Sequence, residues 1–435
     1  MDVLRLLDLR DAPARGPFAL PRPDLGDAGP VSEVRAILEA VRTGGDSAVR
    51  EFSRAFDGVE LTSLRVEDAA LDAALASLSV PLRDALTEAR DAIEAFHRHR
   101  SPLPPRYERG GIGVTHLELP VERAGVYAPG GRAKYPSSVL MTAVPARVAG
   151  VDEVICCVPP QADGSLPVEI LAACRLAGVD EVYRIGGAQA IAAMAYGTES
   201  VPKVDVIVGP GSKWVSIAQR EVRGVVGVPA AFAGPSEVVV VADEATPVLY
   251  AAIDLVVQAE HGPDGLSWLL TTSEPYARAV AAEVERLVAA SPRGGVAAAT
   301  LAGGGFAVIC RDPAQLMAVS NEIAPEHLEL LGPDADELLG LVRHAGAVFL
   351  GPLSPASVGD YIAGPSHTLP TFRTARFSSA VGVEDFVRRV HAIAVDETGI
   401  ERVADAVAAI AEAEGLPAHA ESVRVRVEEP TWSMR

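Results

Sequence analysis

The sequence predicts an α/β protein built on parallel sheets. Short, continuous apolar runs recur along it, as strands covered on both faces require. Stretches of helical periodicity separate those runs, and a helix is the usual return path between parallel strands. Glycine turns close several of the runs, where a strand must bend directly into a helix.

Taken in order, residues 11–30 are rich in Pro, Gly and Asp and predict an extended arm. Residues 31–57 and 66–99 predict two helices. In the second, Leu71, Leu75, Leu78, Leu82 and Leu86 recur at helical spacing. Residues 101–113 form a Pro/Gly/Arg connector. Strands predicted at 154–158, 180–185, 204–208 and 238–241 alternate with helices at 168–176, 188–196 and 212–223. A second alternating region follows. A helix at 253–260 stops at Gly262-Pro263, a strand lies at 268–272 and a helix at 275–289, and further strands lie at 306–310 and 347–350. Pro325 reads as a first-turn residue, which places Glu326 and His327 at the start of a helix. From about 381 the character changes. An Ala-rich helix at 403–413 and a short strand at 423–427 make a unit too small to bury much alone, so it is expected to dock on something larger.

The 435 residues suggest two or three domains, at roughly 150 residues each. Nearly half the residues are apolar, enough for more than one core. A formal charge of −20 and the lack of any Lys/Arg stripe argue against a nucleic-acid partner. The acidity reads as a solvated surface. Residues 1–10 mix charge with leucine and resemble neither a secretory signal nor a membrane anchor. Cys156, Cys157, Cys174 and Cys310 sit in apolar segments without metal-type spacing, as reduced core residues of a cytoplasmic protein would.

Chemistry concentrates in a few polar clusters within apolar surroundings. They are Gln258-Ala259-Glu260-His261-Gly262-Pro263-Asp264, Pro325-Glu326-His327, Gly359-Asp360-Tyr361 with His367, and Glu414 with His419. Four of the nine histidines lie here. Imidazole, carboxylate and amide oxygen together suit a divalent metal, zinc first. Gln258 and His261 share a helix face, although a histidine ending a helix also complements its dipole. Glu326 and His327 suit chemistry with two proton transfers, although an acid in a first turn is favoured on structural grounds too. Asp360 and His367 flank a loop at Gly364-Pro365-Ser366, and Glu414 and His419 flank a turn at Gly415-Leu416-Pro417. Glycine turns at Pro129-Gly130-Gly131 after Tyr127, at Gly186-Gly187-Ala188-Gln189 and at Gly209-Pro210-Gly211-Ser212 could present free N–H groups to a pyrophosphate. No GxGxxG fingerprint is present, and tight turns need glycine in any case.

Together these clusters resemble the histidinol dehydrogenase family over nearly the whole chain. The resemblance rests on Gly125-Val126-Tyr127-Ala128-Pro129-Gly130-Gly131, Gly186-Gly187-Ala188-Gln189-Ala190-Ile191-Ala192-Ala193 and Val201-Pro202-Lys203-Val204-Asp205. It continues through Ala233-Gly234-Pro235-Ser236-Glu237, the 258–264 motif and Ala324-Pro325-Glu326-His327-Leu328. It ends with Gly359-Asp360-Tyr361, His367 with Leu369-Pro370-Thr371, and Ala413-Glu414-Gly415-Leu416 with His419-Ala420. The resemblance implies a four-electron, NAD-linked oxidation of L-histidinol to L-histidine through L-histidinaldehyde, the last step of histidine biosynthesis. It implies one zinc ion per subunit on Gln258, His261, Asp360 and His419, with Glu326 and His327 as the acid/base pair. It implies substrate contacts from Ser236, His367 and Glu414 beside Gln258, His261, His327, Asp360 and His419. It implies NAD contacts from Tyr127, Gln189 and Ser212, and a homodimer whose C-terminal unit completes the partner's site. The chain departs from the family pattern at Ser212, where Asn is usual, and at 230–232, which lacks the usual acidic residue.

The expected architecture is an α/β fold with two Rossmann-like parallel-sheet domains. An N-terminal arm covers 1–24. A discontinuous domain, 25–119 with 237–380, holds the catalytic and zinc residues. Residues 120–236 form the NAD-binding domain, and 381–435 the docking unit. Three other readings make different predictions. A dehydrogenase of the same family acting on another polar alcohol would differ in substrate profile. A non-catalytic binding protein would lack Glu326 or His327. A zinc hydrolase would turn over esters or amides without NAD.

Overall fold

The protein is seen in a computed structural model that describes residues 3–22, 30–100, 103–130, 134–229, 234–262 and 264–428. Its strands are β1 (Arg5–Asp8), β2 (Tyr107–Arg109), β3 (Ile112–Pro120), β4 (Arg123–Tyr127), β5 (Glu153–Val158), β6 (Glu181–Arg184), β7 (Val206–Val208), β8 (Glu237–Val241), β9 (Leu266–Thr271), β10 (Gly305–Ile309), β11 (His327–Leu330), β12 (Ala347–Leu350) and β13 (Val387–Val395). The chain divides into two compact units, Met1–His99 with Val121–Phe386, and Arg100–Pro120 with Val387–Arg435.

The first unit holds two parallel sheets, as the α/β reading expected. One has four strands in the order β6-β5-β4-β7 and the other six in the order β1-β10-β9-β8-β11-β12. Strand β5 shows why its run is apolar throughout. Val154, Cys156 and Val158 enter the core on one face, and Ile155 and Cys157 enter the core on the other. All four cysteines are free and buried.

The helices Val31–Phe52, Asp68–Ser77 and Val80–Arg98 differ from expectation in their partner. They had been grouped with 237–380, yet they pack on the four-stranded sheet. Val34, Ile37, Leu38 and Val41 join the core of Ile155, Ile191 and Ile207, while Leu71, Leu86 and Ile93 join that of Val126 and Val154. The helix predicted at 66–99 is also two helices, because Leu78 and Ser79 are extended. Pro81 has no N–H to offer the carbonyl four residues back, so a continuous helix fails there. Strand β1 comes from the segment read as arm and pairs with β10.

In the six-stranded sheet, β11 runs between β8 and β12. Here the expected helix at Glu326 and His327 is replaced by a strand. Ala324 turns left-handed (φ 51°) and ends the helix Pro313–Ile323, and the chain then enters the sheet. The alternation of Leu328 and Leu330 toward one core decides the outcome, since a covered strand must place them there. Asp360, read as flanking the loop at Gly364-Pro365-Ser366, lies on the short helix Ala356–Tyr361.

The second unit is an antiparallel sheet, β13-β3-β2, with helices Glu397–Ala413 and Pro417–Glu428. The strand expected at 423–427 is helical. Pro417 opens that helix, and Ala420 with Val423 packs on Ala408 and Ala411. So small a core leaves Ile393 68% and Ile410 61% exposed. Among the described residues no helix is long and apolar enough to cross a membrane.

Candidate active site

The candidate catalytic residues gather at the N-terminal ends of β8 and β11. Open parallel sheets more often bind ligands at the other end of their strands. His327 is the first residue of β11, and Glu326 directly precedes it; both are buried. The neighbouring strand clamps them through its backbone. The Glu237 N–H donates to Glu326 Oε2 at 3.0 Å. The Glu237 carbonyl oxygen lies 3.3 Å from His327 Nδ1, so that nitrogen carries the donated proton. Nε2 faces Asp360 Oδ1 at 3.5 Å, and Glu326 Oε2 is 3.7 Å from Nδ1.

This environment sets the charges. Burial opposes a protonated His327, but Glu326 and Asp360 outweigh it and raise its pKa to about 9. Burial pushes Glu326 above the usual carboxylate range, which suits a base. Asp360 loses solvation too, yet the His327 contact holds it below its ordinary value. Burial depresses His367. Its Nδ1 donates to the Asp360 carbonyl oxygen at 2.8 Å, and its Nε2 lies 3.2 Å from Ser138 Oγ.

Gln258 ends the helix Val248–Ala259 and is buried, and His261 follows at its exposed tip. His261 Nδ1 lies 3.3 Å from the Gln258 carbonyl oxygen and donates to it, which leaves Nε2 as the free ligating nitrogen. Ser236 leads into β8 and is half-buried. Gly359 lets the Asp360 helix approach β12, because a Cβ there would stand 2.6 Å from the Phe349 ring.

The four-stranded sheet brings the NAD candidates together at its C-terminal edge, where the strand order reverses between β4 and β7. The Gly187 N–H donates to the Tyr127 hydroxyl at 3.1 Å. Gln189 is buried with Oε1 unpartnered. Ser212 is the exposed N-cap of the helix Lys213–Glu221. Gly131, 230–233 and Pro263 lie outside the described residues.

The sequence profile described as "Histidinol dehydrogenase" matches residues 21–427. The chain belongs to the histidinol dehydrogenase family. It is 48% identical to the histidinol dehydrogenase of Synechococcus sp. over 398 residues, covering 91% of this chain and 92% of that one. It is 46% identical to that of Aromatoleum aromaticum, covering 91% and 90%. The crystal structure of histidinol dehydrogenase from Elizabethkingia anophelis superposes with a TM-score of 0.93 at 32% identity, covering 99% of this chain and 100% of that one. As a member of the histidinol dehydrogenase family the chain is an enzyme, an oxidoreductase.

Glu414 and His419 lie in the second unit, at the end of the helix Glu397–Ala413 and near the start of Pro417–Glu428, and both are exposed. Among the described residues no three His, Cys, Asp or Glu side chains gather as a metal centre. The candidate set accounts for that. Within the first unit it holds one imidazole, His261, one carboxylate, Asp360, and the Gln258 amide. The donor types still suit zinc, and Gln258 Nε2 is buried with no partner, so the amide is not committed to the protein's own bonds. The sequence reading missed three contributors. Glu237 had been quoted within a motif and assigned nothing, Ser138 supports His367, and Glu329 caps the Asp360 helix at Ala356. A strand assignment for 327–330 would have flagged Glu329 as a carboxyl in an apolar run.

Proposed function

We propose that the chain oxidises L-histidinol to L-histidine through L-histidinaldehyde, the last step of histidine biosynthesis. It would use NAD and one zinc ion per subunit, in a cytoplasmic homodimer. The observation that carries this reading is the buried Glu326–His327 pair, held by the backbone of Glu237 and facing Asp360. Gln258, His261, Asp360 and His419 of the partner subunit would hold the zinc. When bound, zinc supplies an anchor for the imidazole and amine nitrogens of the substrate and fixes its pose. When bound, NAD would supply the hydride acceptor, and Tyr127, Gln189 and Ser212 would hold it.

The chain's own groups move the protons. In its neutral form, which deprotonation near pH 9 supplies, His327 accepts the alcohol proton at Nε2, the ring nitrogen not committed to Glu237. Glu326, its pKa raised by burial, takes a proton from the water that attacks the aldehyde. His327 releases its first proton to solvent and then accepts the hydrate's proton in the second oxidation. His367, its pKa depressed by burial and its ring fixed by the Asp360 carbonyl and Ser138, would border the substrate. Ser236 lies on the same edge of the sheet. Glu414 of the partner subunit would meet the substrate amine. Two oxidations without aldehyde release require a closed cleft.

The test is NADH formation from L-histidinol by the full-length enzyme, with chelator and with zinc restored. Two NADH per histidinol, lost with chelator and recovered with zinc, are expected. No NADH from zinc-loaded enzyme would overturn the assignment and leave another polar alcohol as the substrate.

A further inference from the structure

We infer that Glu329 is a positioning residue, a buried carboxyl that ties three elements together and so sets His327, Asp360 and Gln258 against one another. It touches no reacting atom and acts through the elements that carry those three residues. The inference rests on the reading of His327 as the base and of Asp360 and Gln258 as zinc ligands.

Glu329 lies on β11 two residues after His327, so the two side chains leave the strand on the same face, opposite Leu328 and Leu330. That face is covered by the helix Val248–Ala259, through Ala251, Ala252 and Leu255. Glu329 is fully buried, where a carboxyl is costly unless its oxygens are satisfied. Oε1 accepts the Ala356 N–H at 2.9 Å. Ala356 is the first residue of the short helix that carries Asp360 one turn later. Oε2 has no hydrogen-bond partner among the described residues, and the Glu329 carboxyl neighbours that of Asp254, which lies one turn before Gln258 on its helix. Two neighbouring carboxyls need a shared proton, and burial together with Asp254 keeps Glu329 protonated well above the usual range. One side chain therefore joins the strand of the base, the helix of one zinc ligand and the helix of another. Reacting groups must be held within about 0.5 Å, and such supporting contacts are what hold them.

Three variants separate this role from general stability. Glu329→Gln keeps an oxygen for Ala356 and an N–H for Asp254, and it should behave nearly as the wild type. Glu329→Ala removes both links. Ala356→Pro removes only the N–H, at a first helical position where proline is tolerated and after Pro355, which is already extended. Glu329→Ala and Ala356→Pro should each lose about 10–100-fold in kcat and a similar factor in zinc affinity, read by competition with a chromophoric chelator. KM for NAD should stay unchanged, and each variant is assayed well below its melting temperature, because Ala356→Pro leaves the buried Oε1 without its N–H. Folded Ala356→Pro enzyme with wild-type kcat and zinc affinity would overturn the inference, even if Glu329→Ala does not fold. Glu329→Gln falling as far as Glu329→Ala would overturn it too. Wild-type turnover of histidinol is measured first, so failure of the assigned reaction shows there, while zinc competition reads the tie independently of turnover.

Discussion

His327 takes its chemical character from residues far from it in sequence. Its Nδ1 meets the Glu237 carbonyl, 90 residues away, and its Nε2 meets Asp360. Its pKa of about 9 lies above the ordinary 6.5, so the Glu326 and Asp360 carboxylates stabilise the fold fully below about 6.5 and the gain is lost as pH rises through about 9. The Glu326 charge and the Asp360 contact both raise it. Glu326→Gln in metal-free protein should therefore move the His327 titration, read from its ring-proton NMR signal, to lower pH. A titration left in place would remove Glu326 as the cause. Glu326, His327, Gln258, His261 and Asp360 stood out as candidates because their residue types and order form motifs in the sequence. Glu237, Ser138 and Glu329 were not, because each acts through a contact that exists only after strands and helices pack.

Elements were legible where their signal is local. Strands predicted at 154–158 and 306–310 and the helix at 168–176 are found within a residue or so of expectation. The misreadings share a cause. Periodicity over 66–99 ran across a proline stop, and the short patterns at 325–328 and 423–427 fit either state until tertiary neighbours chose. The turn after β7 is an element whose geometry depends on one residue. Gly209 has φ 117°, and a Cβ there would stand 2.1 Å from the Tyr127 carbonyl oxygen. Gly209→Ala should cost about 2 kcal/mol in urea unfolding and weaken NAD binding measured by calorimetry. Unchanged stability and NAD affinity would show that the turn does not shape this edge.

At the scale of the molecule, the second unit is set apart by two of the candidate site residues. Glu414 and His419 belong to it, and its own core is small. If His419 of the partner subunit completes each site, Glu326→Gln and His419→Ala chains, each inactive alone, should regain about a quarter of wild-type activity when dissociated together and reassembled. No recovery would place both residues in a site of one chain. The α/β class, most strands and the candidate site residues could be read from the chain alone, because apolar runs, glycine turns and residue order are local properties. Tertiary structure decided which sheet the first three helices cover, that β11 is a strand, and that Glu237 and Glu329 hold the site. Those outcomes depend on which apolar faces meet and on where buried polar groups find partners, and no local stretch of sequence contains either.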